Sequence, residues 1–174
     1  MKILSFGAST SSQSINRQFA LYVANQIKSA QVTDLDLRTF ELPLYSSDEE
    51  KANGIPPAAK RFFDLVREHE GLVISLAEHN GSYAAAFKNL FDWATRIDQK
   101  LWADRPMLLL ATSPGARGGM TVLEAAKGTF PHLGADIRGS FSLPSFYDNF
   151  DSQFGVNKSV ATEALVKAIE AMNP

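Results

Sequence analysis

The sequence predicts an α/β protein, a three-layer sandwich whose middle layer is a five-stranded parallel sheet. Three observations carry this. Short apolar runs alternate with amphipathic stretches along the chain, the pattern that places helices on both faces of a parallel sheet. The runs at residues 71–76 and 106–112 are apolar at both alternating sets of positions, as strands covered on both faces must be. The first run begins at Lys2 and reads as a central strand; right-handed crossovers leave few topologies, and a helix pair on each side of strand one gives the order 2-1-3-4-5.

In order, Lys2-Ile-Leu-Ser-Phe-Gly-Ala8 is the first strand. Ser9-Thr-Ser-Ser-Gln-Ser14 is a loop of hydroxyls, and Ile15, Phe19, Val23 and Ile27 recur behind it at helical spacing. Residues 32–37 alternate as a second strand with one wetter face. Residues 39–57 hold three of the eight prolines and the acidic group Asp48-Glu49-Glu50, and are expected to form an extended loop, flexible near 46–53. Pro56-Pro57 opens a helix, a place that suits proline, with Phe62, Phe63, Leu65 and Val66 on its apolar face. Residues 71–76 make the central strand, an apolar run too short for a helix. Tyr83, Phe87, Leu90, Phe91 and Ala94 mark a helix ending near Asp98. After the fourth strand at 106–112, Ser113-Pro-Gly-Ala-Arg-Gly-Gly119 carries glycines that permit a tight turn or close approach to a ligand. A helix from Thr121 to about Phe130 and a last strand at 135–143 follow. An aromatic-rich loop at 144–154 then leads to a terminal helix with Val160, Leu165, Val166 and Ile169.

Composition narrows the function. A hydrophobic content of 45% in 174 residues supports one folded domain spanning 1–174. A formal charge of −2 without a basic stripe gives no surface for nucleic acid or an anionic membrane. The absence of Cys excludes disulfides, thiolate metal sites and a cysteine nucleophile, and the three scattered His lack metal-ligand spacing, so no metal is expected. Neither a leader pattern nor a membrane-length apolar stretch is seen, and a cytoplasmic protein is the expectation.

The strand order gathers the loops after strands one, three and four around one crevice, where open α/β sheets bind ligands. In the first loop, a helix N-terminus meets Ser9, Thr10, Ser11, Ser12 and Ser14, so free N–H groups and uncharged hydroxyls can receive a phosphate. The loop lacks the Gly-Lys-Ser/Thr end of a P-loop and the G-x-G-x-x-G of a dinucleotide fingerprint. The plainer alternative is a Ser-rich helix cap. In the second loop, Glu78, His79, Asn80, Gly81 and Ser82 offer donors and acceptors of both kinds, the alternative being an ordinary turn with Ser82 as N-cap.

These stretches together resemble the NADPH-dependent FMN reductase family, which includes quinone, chromate and azo reductases. Gly7-Ala-Ser-Thr-Ser-Ser-Gln-Ser-Ile-Asn16 is similar to the family's first loop, G-S-x-R-x-x-S-x-N, with Ser11 where the family usually has Arg. Leu42-Pro-Leu-Tyr45 resembles the segment after strand two. Glu78-His-Asn-Gly-Ser82, Lys88-Asn89 and Asp92-Trp93 resemble P-E-Y-N-x-S followed by L-K-N-x-x-D-W, and Ser113-Pro-Gly with Gly118-Gly119 resembles the fourth-strand loop. The departures are Ser11 for Arg, Ala77 for Pro, His79 for Tyr, and Ala84-Ala85 for Pro-Gly.

The resemblance implies a flavodoxin-like fold and an FMN-dependent oxidoreductase passing electrons from NADPH or NADH to a quinone or similar small acceptor. A flavodoxin-like electron carrier, or a relative that has lost flavin, is the alternative. Ser9, Ser11, Ser14, Ile15 and Asn16 would hold the phosphate and ribityl chain. Ala77, Glu78, His79, Asn80 and Gly81 would border the ring, and Ser113 and Gly115 would close its other side. The flavin carries the chemistry, so no catalytic side chain is implied. Lys88 and Asp92 are read as a solvated or interfacial pair, and Arg117 as a surface residue with a nicotinamide cofactor's phosphate as the other possibility. A homodimer or homotetramer is implied, with Phe91, Trp93 and Trp102 as candidates for an apolar patch and Trp93 read as packing or a subunit contact in preference to a flavin stacker.

Overall fold

A computed structural model describes residues 1–157, 159–160 and 163–173. Its main sheet joins β1 (Lys2–Ala8), β2 (Gln31–Asp34), β3 (Gly71–Leu76), β6 (Arg105–Thr112) and β7 (Ala135–Leu143) in the order β2-β1-β3-β6-β7, all pairs parallel. Numbered among themselves, these five strands take the expected order 2-1-3-4-5. Strand alternation sorts the core into two layers. Leu4, Phe6, Leu72, Ile74, Leu76 and Leu109 face one layer, with Phe62 and Val66 of α3 (Pro57–Glu68), Phe87 and Phe91 of α4 (Ala85–Thr95) and Val122 of α5 (Met120–Thr129). Ile3, Val73, Leu108 and Leu110 face the other, with Phe19 and Val23 of α1 (Ile15–Ala24) and Leu165 and Ala168 of α7 (Glu163–Glu170).

Several local expectations are corrected. Residues 46–53 are not a flexible loop: α2 (Ser47–Asn53) forms there, and Ser46 Oγ accepts the Glu49 N–H at 3.0 Å. Ser46-x-x-Glu49 is the capping pattern that starts a helix. The second strand ends at Asp34; Leu35 and Asp36 lie outside regular structure, and a 3-10 turn begins at Leu37. Tyr83 precedes α4 and belongs to β5 (Ser82–Tyr83), which pairs with β4 (Glu78–His79); the N-cap of α4 is Ala84. The stretch 144–154 contains the one-turn α6 (Phe146–Asn149) and β8 (Phe150–Asp151), whose partner is β9 (Gly155–Val156). Phe91, Trp93 and Trp102 make no surface patch. All three are buried, and Trp93 Nε1 donates to the Pro43 carbonyl at 2.8 Å.

One charge network sits where β2 leaves the sheet. Arg17 donates to both oxygens of Asp34 and, through Nη1, to Asp36 at 2.7 Å, while Arg38 binds Asp36 from the other side. Hydrogen bonds from the Arg38 guanidinium, with help from its N–H and the Arg17 charge, hold the Asp36 carboxyl well below its ordinary range against an opposing cost of partial burial. A carboxylate depressed in the folded state lends stability above its unfolded pKa and loses it as pH falls. From pH 5 to pH 2 the melting temperature of the wild type is therefore expected to fall further than that of Asp36→Asn. Parallel melting curves across that range would contradict it.

Candidate functional site

Beyond the carboxyl ends of β1, β3 and β6 lies an open cleft of about 280 Å³. The first loop lines it with Ser9, Ser11, Gln13, Ser14, Ile15 and Asn16; residues 77–79 and 112–114 form the facing wall; Tyr147 of α6 stands at its edge. Ser9, Ser11, Ser14, Ile15, Asn16, Ala77, Glu78, His79 and Ser113 are thus brought together as the sequence suggested. Asn80, Gly81 and Gly115 do not line the cleft.

The first loop gathers hydrogen-bond donors beside the start of α1. Ser14 caps α1, its Oγ accepting the Arg17 N–H at 3.1 Å. Ser9 Oγ accepts from the Ser11 N–H at 3.1 Å, and Ser11 Oγ from the Gln13 N–H at 3.2 Å. Each incoming N–H fixes a hydroxyl oxygen and leaves its proton free to donate. The N–H groups of Ile15 and Asn16, at the first two positions of α1, have no acceptor among the described residues, and the helix dipole favours negative charge there. Gly7 makes this possible. A Cβ at position 7 would overlap the Arg17 backbone nitrogen and lie 2.7 Å from the Arg17 Cα, so the first turn of α1 rests directly on β1.

Asn16 faces inward. Its Oδ1 accepts from Ser75 Oγ at 2.7 Å and from the Thr112 N–H at 3.0 Å, and its Nδ2 donates to the Thr112 carbonyl at 3.1 Å. The side chain therefore stitches α1 to the ends of β3 and β6, and Asn16 offers the cleft its backbone N–H.

The facing wall has its own fastenings. Asn80 (φ 51°) and Gly81 (φ 74°) make the two-residue turn between β4 and β5, an Asn-Gly pair suited to left-handed backbone. Glu78, behind that turn, accepts the Val122 N–H at 3.0 Å and so caps α5, whose own N-cap is Gly119. On the other loop, the Gly115 carbonyl accepts from the Ser145 N–H at 3.0 Å, and the Ser113 carbonyl from the Phe146 N–H at 3.0 Å. Lys88 and Asp92 form an exposed ion pair at 2.7 Å, and Arg117 donates to Thr121 Oγ1. Thr112, Pro114, Gln13 and Tyr147 line the cleft without having been expected there. Thr112 had a signal, a polar residue closing an apolar strand, whereas Tyr147 had none.

Among the described residues no Lys or Arg lines the cleft; His79 is the one side chain there able to carry positive charge, and Glu78 the one acid. A phosphate on neutral donors, with a mostly uncharged wall for a planar ring, fits this donor set.

The profile of the NADPH-dependent FMN reductase family matches residues 1–148. The chain is 30% identical over 148 residues to the uncharacterized MG342 homolog of Mycoplasma pneumoniae, a match covering 82% of this chain and 87% of that protein. It is 29% identical over 131 residues to an NADPH:quinone oxidoreductase of Arabidopsis thaliana, covering 74% of this chain and 66% of the plant protein. Among solved structures, the flavoenzyme FerB, an NAD(P)H:(acceptor) oxidoreductase of Paracoccus denitrificans, superimposes with a TM-score of 0.74 at 22% identity, covering 98% of this chain and 94% of that one.

Proposed function

The chain belongs to the NADPH-dependent FMN reductase family, and on that premise we infer that it is an FMN-dependent oxidoreductase taking electrons from NADPH or NADH and delivering them to a quinone or a similar small acceptor. The observation that carries this is the convergence of the Ile15 and Asn16 N–H groups with the Ser9, Ser11 and Ser14 hydroxyls at one end of the cleft. Those groups would hold the FMN phosphate, while residues 77–79 and 113–114 would border the ring. When bound, FMN would supply the two-electron chemistry that links a nicotinamide to a quinone. The protein holds and orients it. A relative named as a quinone oxidoreductase supports the choice of acceptor class. The test is oxidation of NADPH or NADH by FMN-loaded protein with a quinone present; no turnover with either nicotinamide would refute the reading.

The same reading makes Ser11 the weak point of the phosphate site. Ser11→Arg is expected to tighten FMN binding by about 1–2 kcal/mol, since a guanidinium makes charge-assisted, bidentate bonds that a hydroxyl cannot. Calorimetric titration of apoprotein would show it. An unchanged affinity would place the phosphate away from this loop.

A further inference from the structure

Tyr147 combines an exposed ring with a backbone that is tied down. It is 72% exposed, one of few large side chains left so open, and it lines the cleft. The turn that carries it is fixed from two sides. The Ser145 and Phe146 N–H groups bind the carbonyls of Gly115 and Ser113, each at 3.0 Å. Asn149 Nδ2 donates to the Pro144 carbonyl at 2.9 Å. Phe146 is buried and stacks on Phe150 with ring centroids 4.7 Å apart, so the turn cannot roll inward. One residue further along a helical turn points about 100° away, which brings Tyr147 out at the cleft. Ser145 reaches this arrangement at φ 43°, a left-handed conformation that costs a non-glycine residue energy and recurs where the backbone is held for a purpose.

Tyr147 is also the one benzenoid ring among the cleft's lining residues. The rest of the lining is hydroxyls, amides, small apolar groups, one carboxylate and one imidazole. A planar heterocycle in such a cleft gains most from an aromatic face, and an open ring on a fixed stem offers that face at little ordering cost. Resting on the flavin reading above, we propose that Tyr147 is a flavin-contacting residue whose ring packs against the bound FMN and closes the exposed side of the cleft.

The test is a fluorescence titration of apoprotein with FMN, comparing wild type, Tyr147→Phe and Tyr147→Ala, with melting of each apoprotein to confirm folding. A phenol in contact with an excited flavin donates an electron and quenches it, which benzene cannot do. Wild type is therefore expected to quench FMN on binding. Tyr147→Phe should bind within about twofold of wild type and Tyr147→Ala about tenfold more weakly, both with brighter bound flavin. Wild-type affinity and quenching in Tyr147→Ala would overturn the proposal while leaving the flavin reading standing. So would an effect confined to KM for the nicotinamide or the quinone, because the ring would then face the substrate. Failure of the wild type to bind FMN at all would overturn both.

Discussion

Asn16→Leu is expected to destabilise the flavin-free protein by about 3–5 kcal/mol, because each buried polar group left unpaired costs about 1–3 kcal/mol. Three groups lose their partner at once: the Ser75 hydroxyl, the Thr112 N–H and the Thr112 carbonyl. Water cannot replace the amide easily, since Asn16 is 4% exposed, Ser75 0% and Thr112 1%. Leucine fills a similar volume, so the loss is polar in origin and not a cavity. For a chain of this size the melting temperature should drop by about 10 °C. Thermal melting of apoprotein checks it. A variant that melts like wild type but binds flavin poorly would show instead that the Asn16 side chain serves the ligand directly.

Gly7→Ala should come next in size. The added methyl meets backbone atoms of Asn16 and Arg17, not the tip of a flexible side chain, and a helix turn cannot step aside without leaving the strand. A cost of about 3 kcal/mol, the upper end for overpacking, is expected. The same displacement moves the Ile15 and Asn16 N–H groups off the cleft, so FMN affinity should fall along with stability. Denaturant unfolding and FMN titration on one preparation would measure both. A stable variant with normal affinity would mean that α1 tolerates a shifted seat.

Those two residues show where the sequence could be read and where it could not. The strands were legible because burial on both faces writes a continuous apolar run, and their order followed from connection handedness together with helices on each side of the first strand. The loops after β1, β3 and β6 were legible as neighbours for the same reason. The direction of a side chain was not. Asn16 sits in a motif beside hydroxyls that face the cleft, and nothing local says that it turns inward. The clue lay elsewhere, in Ser75 and Thr112, polar residues near the ends of apolar strands that needed a partner. The 46–53 helix was missed because its acidic run suggested solvent, although Ser46 and Glu49 already carried a capping pattern. The Asn80-Gly81 turn was likewise present as a dipeptide and was read as ligand contacts. Tyr147 depends on how two distant loops hydrogen-bond to each other, which no stretch of sequence records.

The Arg17 network has a consequence for how the cofactor is held. Both carboxylates that Arg17 contacts answer its charge, and among the described residues no Lys or Arg lines the cleft. A phosphate bound there meets short-range donors and no uncompensated cation. Ionic strength screens interactions between separated charges far more than it weakens direct hydrogen bonds. Raising salt from 10 mM to 500 mM should therefore leave FMN affinity almost where it was, and the protein's cofactor loading would follow the flavin concentration around it, indifferent to the electrolyte.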